Sequence, residues 1–301
     1  MIERVTQQIL DQLKIPFERQ FPVGPYSFDL FIPSHNLLIE CQGEYWHSSD
    51  KAKQRDAAKF TYIDKNIPNF RILYLYERDF LNPGIIKQKL IRELFDSTFN
   101  EDDNINFPFS KLGIQELSIK EKLTNSYYSE PEEFLQSYHY AGFGRSAKLI
   151  FGAYLDNELI AVCKFSSIVR KEVATSLNLK TSEVLELDRF CIHPNHQKKN
   201  FASWFISRCA KLIDQKITHL VSFADSTFGH DGTIYRAANW TEIGRTKPSY
   251  HYIDSTGWVI HKKTLWDHAK KMGKSESEYA EENGYQKIYG KEKVKFILRL
   301  N

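Results

Sequence analysis

Asp29, Glu40, Gln42, His47 and Asp56 fall within the stretch FDLFIPSHNLLIECQGEYWHSSDKAKQRD, residues 28–56, and side chains of these types suit hydrolysis of a phosphodiester. Two carboxylates at neighbouring strand ends can share a hard cation. Mg²⁺, or Mn²⁺ in its place, is held by one or two carboxylates together with water and substrate phosphate. Asp29 and Glu40 are the candidate metal ligands. Residues 40 and 42 lie on one side of a strand by its two-residue period, with Cys41 on the other, so Gln42 faces the same ground as Glu40. An amide can orient a water but has no useful basicity. His47, whose imidazole titrates near neutrality, is the candidate general base, with Asp56 to hold its tautomer.

A second set of chemistry-bearing residues lies further along. HQKKNFA, residues 196–202, separates the apolar run EVLELDRFCI from an amphipathic stretch starting at Phe201. Exposed amides at the start of a helix bind phosphate oxygens, and the helix dipole favours the anion. Lys198 and Lys199 add positive charge. The next apolar run, HLVSFAD, ends on Asp225 and leads into GTIYRAANW, which carries Tyr235.

The elements that must position these groups are legible in the pattern. FDLFI alternates, PSHN turns, and LLIEC resumes the apolar run, so the segment reads as a β-hairpin. RILYLYERDF is a further strand, followed by a helix near residues 85–95. KLIFGAYLDNELIAVCKFS is a second hairpin around Asp156 and Asn157. Phe201, Trp204, Phe205, Leu212 and Ile213 define one apolar face of a helix over residues 201–214. The C-terminal part holds a helix at KKTLWDHAKKM, with lysines 262, 263, 270 and 271 at helical spacing, a capping box from Ser275 to Glu278, and a strand at VKFILRL. NEDDNINFPFSK is acidic and irregular. The expected division is residues 1–99, a linker at 100–114, and a second domain at 115–301.

The chain has 301 residues and a formal net charge of +3, which permits nucleic-acid binding through local basic faces without requiring it. Its four cysteines, at 41, 163, 191 and 209, form no CxxC pair and sit in apolar runs, as reduced core thiols do. No run of about 18 apolar residues is present. These features suggest a cytoplasmic protein with no membrane partner.

Residues 1–95 resemble the PD-(D/E)xK nuclease superfamily, in the branch of very-short-patch repair and EDxHD homing endonucleases. The match rests on Glu3, Asp29, Glu40 and Gln42, His47, and Asp56. By that resemblance Asp29 binds the metal while Glu3, His47 and Asp56 complete the catalytic cluster. Gln42 stands where many relatives have lysine. That departure leaves open the general base, and whether Glu40 or a backbone carbonyl supplies the second metal contact. Residues 115–260 resemble the GNAT acyltransferase fold, with Gln197, Asn200 and Ala202 at the positions of its pyrophosphate loop. FADSTFGHDGTIYRAANWTEIG is more specifically similar to phage Mom-type proteins, a GNAT branch acting on adenine in DNA. Asp225, Tyr235 and the upstream Arg189 match that branch.

The resemblances imply an α/β chain in which a mixed-sheet nuclease domain precedes a GNAT-like α/β domain. The leading expectation is a metal-dependent DNA endonuclease of phage homing type, with the second domain gripping DNA. The alternative is a DNA adenine-modifying acyltransferase that uses acyl-CoA such as acetyl-CoA. A third is a DNA-binding protein with two inactive domains.

Overall fold

The computed structural model describes residues 2–42, 50–76, 79–80, 82–95, 109–117, 129–254 and 259–300. The chain forms two compact units: Met1–Leu94 with Tyr250–Gly290, and Phe95–Ser249 with Lys291–Asn301. The sequence reading left residues 250–290 inside the second domain, whereas here they group with the N-terminal residues.

The first unit begins with α1 (Ile2–Gln12), β1 (Glu18–Val23), β2 (Tyr26–Ile32), β3 (Leu37–Gln42), α2 (Asp50–Asn66), β4 (Arg71–Tyr76) and α3 (Pro83–Leu94). The sheet order is β1-β2-β3-β4. Its first three strands are antiparallel because short turns join them, and the turn into β3 closes on Asn36 in the left-handed region at φ 47°. β4 runs parallel to β3 from Leu37↔Arg71 to Gln42↔Tyr76. A parallel neighbour needs a crossover, and α2 is that crossover. Phe28, Phe31, Leu38 and Ile63 form the core beneath it, with Phe21 and Phe70 stacked at 4.2 and 5.1 Å on either side of Phe31.

The second unit is a seven-stranded sheet of order β10-β14-β9-β8-β7-β6-β5. In chain order it contains β5 (Gly113–Glu116), α4 (Glu130–Tyr138), β6 (Leu149–Leu155), β7 (Glu158–Ser167), α5 (Lys171–Thr175), β8 (Val184–Ile192), α6 (Phe201–Lys211), β9 (His219–Asp225), α7 (Thr233–Ala237) and β10 (Thr241–Arg245). The β6–β7 turn places Asp156 and Asn157 at φ 49° and 68°, the conformation a two-residue hairpin requires. β7 is buried from Leu159 to Ser166, as a central strand covered on both faces must be. α6 sets Phe201, Phe205, Ile206 and Cys209 into the core that also holds Phe165, Tyr235, Trp240 and Phe296.

Residues 250–290 form β11 (Tyr250–Ile253), β12 (Val259–His261), α8 (Lys262–Lys271), α9 (Glu276–Glu282) and β13 (Gln286–Tyr289), with sheet order β12-β11-β13. Ser275 and Glu278 close the capping box at the start of α9: the Glu278 amide donates to Ser275 Oγ at 3.3 Å and the Ser275 amide to Glu278 Oε2 at 2.9 Å. Tyr252, Leu265 and Ala280 are its core. β14 (Lys293–Arg299) then returns to the larger sheet between β9 and β10. The four cysteines are free thiols, and among the described residues no helix is long and apolar enough to cross a membrane.

Candidate functional site

The N-terminal candidates gather in part. Asp29 Oδ2 accepts the Cys41 amide at 2.7 Å, and Gln20 Nε2 donates to Glu3 Oε1 at 2.9 Å and to Asp29 Oδ1 at 3.4 Å. The hydrogen bond with Asp29, then burial and the Asp29 charge, push the Glu3 carboxyl up to about 7. Glu40 takes a different partner: Lys59 Nζ on α2 lies 2.6 Å from its Oε1, and both side chains are buried. Burial raises the Glu40 carboxyl, with Lys59 opposing that shift. Gln42 Nε2 donates to Asp56 Oδ2 at 3.2 Å. His47 lies outside the described residues. Asp29 thus accepts from a backbone amide and Glu40 pairs with an ammonium, and among the described residues no three His, Cys, Asp or Glu side chains cluster as metal ligands. Lys59 is the partner that sequence reading missed, because it sits on the crossover helix and the pairing is tertiary.

In the second unit the site is built on a fork. β8 and β9 are parallel neighbours, but they pair only from Val184↔His219 to Glu186↔Val221. Beyond that point β8 stays paired to β7 as far as Ile192↔Ala161, and β9 stays paired to β14 as far as Asp225↔Lys293. The two strands diverge, and backbone groups that a continuous ladder would consume face the gap. Ser222 spans its base. Its hydroxyl gives its single proton to the Leu187 carbonyl at 2.7 Å, so in the 2.8 Å contact with Tyr235 the phenol is the donor. Tyr235 is buried against Trp240 and Phe296, and burial pushes its hydroxyl up to about 12. It braces the fork.

The loop after β8 leads through Gln197 to Asn200, which takes φ 65° in the left-handed region as the N-cap of α6. Ala202 follows in the first turn. Asparagine tolerates this conformation better than most residues that carry a Cβ. The amide end of α6 therefore adjoins Lys198 and Lys199, one residue type suited to each half of anion binding: dipole and charge.

Asp225 closes β9. Its Oδ1 accepts the Thr227 amide at 3.0 Å, and Lys293 Nζ lies 2.7 Å from Oδ2. Tyr140, just past α4, is the group that sequence reading missed. Its ring lies 3.9 Å from Phe228 and 5.2 Å from His230. Burial first, then the charge of Asp225, raise its phenol, while Arg189 opposes them. Burial lowers the His230 imidazole, against the pull of Asp225 and Asp231. Tyr140, Arg189, Asp225, Phe228 and His230 thus share one neighbourhood drawn from three chain segments. The motif around residues 223–244 and the upstream Arg189 are visible in the sequence; the approach of Tyr140 is not.

Arg189 is held from below. The β7–β8 register shifts between Lys164↔Arg189 and Phe165↔Leu187, which leaves Asp188 as the extra residue of a bulge. A bulge re-aims the side chains beside it. The buried Asp188 carboxylate accepts from Lys164 Nζ at 2.9 Å, from Ser166 Oγ at 3.0 Å and from Arg145 Nε at 3.1 Å. Arg189 turns the other way, donating from Nε to the Gly142 carbonyl at 2.8 Å and from Nη1 to the Asp188 carbonyl at 2.6 Å. Gly144, at φ 75°, allows this approach: a Cβ there would stand 2.2 Å from Arg189 Nη2.

Comparison with known proteins bears on the second half of the chain. The model of the Mom protein family matches residues 127–300. A search of curated proteins gives no match. Among solved structures, a GNAT family acetyltransferase from Elizabethkingia anophelis with acetyl-CoA bound is 13% identical, with a TM-score of 0.34, over 63% of this chain and 99% of that one. The ribosomal-protein-S18-alanine N-acetyltransferase from Escherichia coli is 8% identical, TM-score 0.37, over 63% and 94%. An N-acetyltransferase from Staphylococcus aureus Mu50 is 13% identical, TM-score 0.32, over 51% and 68%. These likenesses are too distant to transfer the role of any residue. The family match overturns the expectation of a Mg²⁺-dependent homing endonuclease, since it assigns more than half of the chain to a different class of protein, the one named as the alternative.

Proposed function

The chain belongs to the Mom protein family, and from that premise we propose that it transfers an acyl group from acyl-CoA to the exocyclic amine of adenine in DNA. The observation that carries the reading is the fork between β8 and β9, with Asp225 at the end of one arm and the bulge carrying Arg189 on the other. Acyl-CoA, when bound, supplies a thioester activated toward attack. The amide end of α6, with Lys198, Lys199 and the left-handed Asn200, suits its diphosphate. The open edge of β8 suits the amide groups of its arm, which pair as a peptide strand would.

The aromatic cluster of Tyr140, Phe228 and His230 suits a planar base that has left its stack, the general requirement of chemistry on a base. Asp225 accepts the proton that the amine loses as its nitrogen bonds to the acyl carbon. With acyl-CoA bound, the carbon–sulfur bond would break in the same transfer, and the proton taken by Asp225 would pass to the departing sulfur so that CoA leaves as the thiol. Arg189, tied to two backbone carbonyls, holds the loop that presents Tyr140. Tyr235 acts from the core by bracing the fork.

The test is nucleoside mass spectrometry on DNA incubated with the protein and acetyl-CoA, alongside calorimetry of CoA binding. A new adenine nucleoside that requires both protein and acetyl-CoA is expected, and Asp225→Ala should lose it. Unmodified adenine together with no CoA binding overturns the reading.

A further inference from the structure

The segment 250–290 carries an arrangement that acyl transfer does not use. β11 and β13 pair Tyr250 with Tyr289 and Tyr252 with Lys287, which places these four side chains on one face of the small sheet. Lys287 Nζ lies 3.8 Å from the centre of the Tyr250 ring and 5.7 Å from that of Tyr289, and Lys262 Nζ lies 4.7 Å from Tyr250. Two ammonium groups thus converge on one ring. The carboxylate nearest these phenols is already engaged, since Glu276 Oε1 accepts from Tyr250 and Tyr252 at 2.8 Å each. Tyr289 is 63% exposed. On α8 the pattern repeats: Trp266 is 45% exposed, with Lys270 Nζ 5.0 Å from its ring.

An exposed ring beside a lysine, as at Tyr289 and at Trp266, offers a π-face for a base and a cation for a phosphate. A protein partner would be anchored by apolar residues in a dry pocket, whereas the groups described at this surface are lysines and phenols. We propose that the Tyr250, Lys262, Lys287 and Tyr289 surface binds an unpaired DNA strand, with a base stacked on Tyr289 and phosphates on the lysines. The proposal rests on the reading of DNA as substrate, and duplex DNA has no free base face to offer Tyr289.

The test measures binding of the full-length protein to a fluorescein-labelled single-stranded DNA, to the duplex of the same sequence, and to single-stranded RNA of that sequence, by anisotropy across a salt series. Tyr289→Ala should weaken single-strand binding roughly ten-fold, and Tyr289→Phe should restore it, because the ring and not the hydroxyl does the stacking. Lys287→Ala should reduce the slope of log affinity against log salt by about 0.7, the share of one phosphate contact on a single strand. Unchanged affinity in Tyr289→Ala with an unchanged slope in Lys287→Ala overturns the proposal. So does a dependence on Tyr289 that appears with RNA and not with DNA. The catalytic reading fails separately: Tyr289-dependent DNA binding without any CoA-dependent nucleoside would leave this surface standing and remove the transferase.

Discussion

Lys293 stands directly across from Asp225 in the β9–β14 register, with its Nζ 2.7 Å from the Asp225 carboxylate. The lysine is 42% exposed and the aspartate nearly buried, so the pair adds little stability, on the order of 1 kcal/mol or less. It sets a carboxylate and an ammonium side by side where β9 ends. Asp225→Asn preserves an oxygen for the Thr227 amide while removing the carboxylate charge. Adenine modification should fall by about 100-fold or more, with CoA affinity unchanged in the same calorimeter. Retained activity would remove Asp225 from the proton transfer.

Tyr235 and Ser222 make a different case, since both are buried and hydrogen-bonded directly to each other, with Ser222 donating on to the Leu187 carbonyl. Tyr235→Phe takes away the donor to Ser222 and leaves the ring packing in place. The expected cost is about 1 kcal/mol, read as a lowered urea midpoint with an unchanged slope. The remaining activity should exceed that of Asp225→Asn, because the phenol braces the fork and does not touch the reacting atoms.

The Lys59–Glu40 pair should be the most sensitive polar contact in the first unit. Lys59→Met strands a buried carboxylate and should cost about 3–5 kcal/mol, whereas Lys59→Met with Glu40→Leu should recover most of that loss. Thermal unfolding of the single and double variants gives the comparison, and a double variant no better than the single would show that the pair is not the source of the loss.

Glu3 should make stability depend on pH. Its carboxyl stands near 7 in the folded chain, above the ordinary value of 4.5, so folding favours the protonated form. The contribution is fully present below pH 4.5, where both states hold the proton, and it is lost as pH rises toward 7. Glu3→Gln should flatten the fall in denaturation midpoint between those values. A fall of the same size in the variant would assign it to another group.

Local pattern made several elements readable. The hairpins at 28–42 and 149–167, the capping box at Ser275 and the final strand are written in alternation, turn residues and caps, all of which act over a few residues. The segment around Asp225 and Tyr235 was legible for the same reason. Tyr140 was not, since nothing within several residues of it marks a site, and its meaning comes from Phe228, Arg189 and Asp225 arriving from other segments.

The sequence by itself determined several of the elements, that an asparagine could take the left-handed turn before α6, and that two carboxylates would stand on neighbouring strands, Asp29 at the middle of β2 and Glu40 on β3. Only the tertiary structure decided what those carboxylates do, because a carboxylate is defined by its partner: Cys41 for Asp29, Lys59 for Glu40, Lys293 for Asp225. It likewise decided that Tyr235 faces the core and that β14 pairs with β9 in the larger sheet. Such pairings join residues far apart in the chain, and they form only when burial of a shared core offsets the entropy of bringing them together.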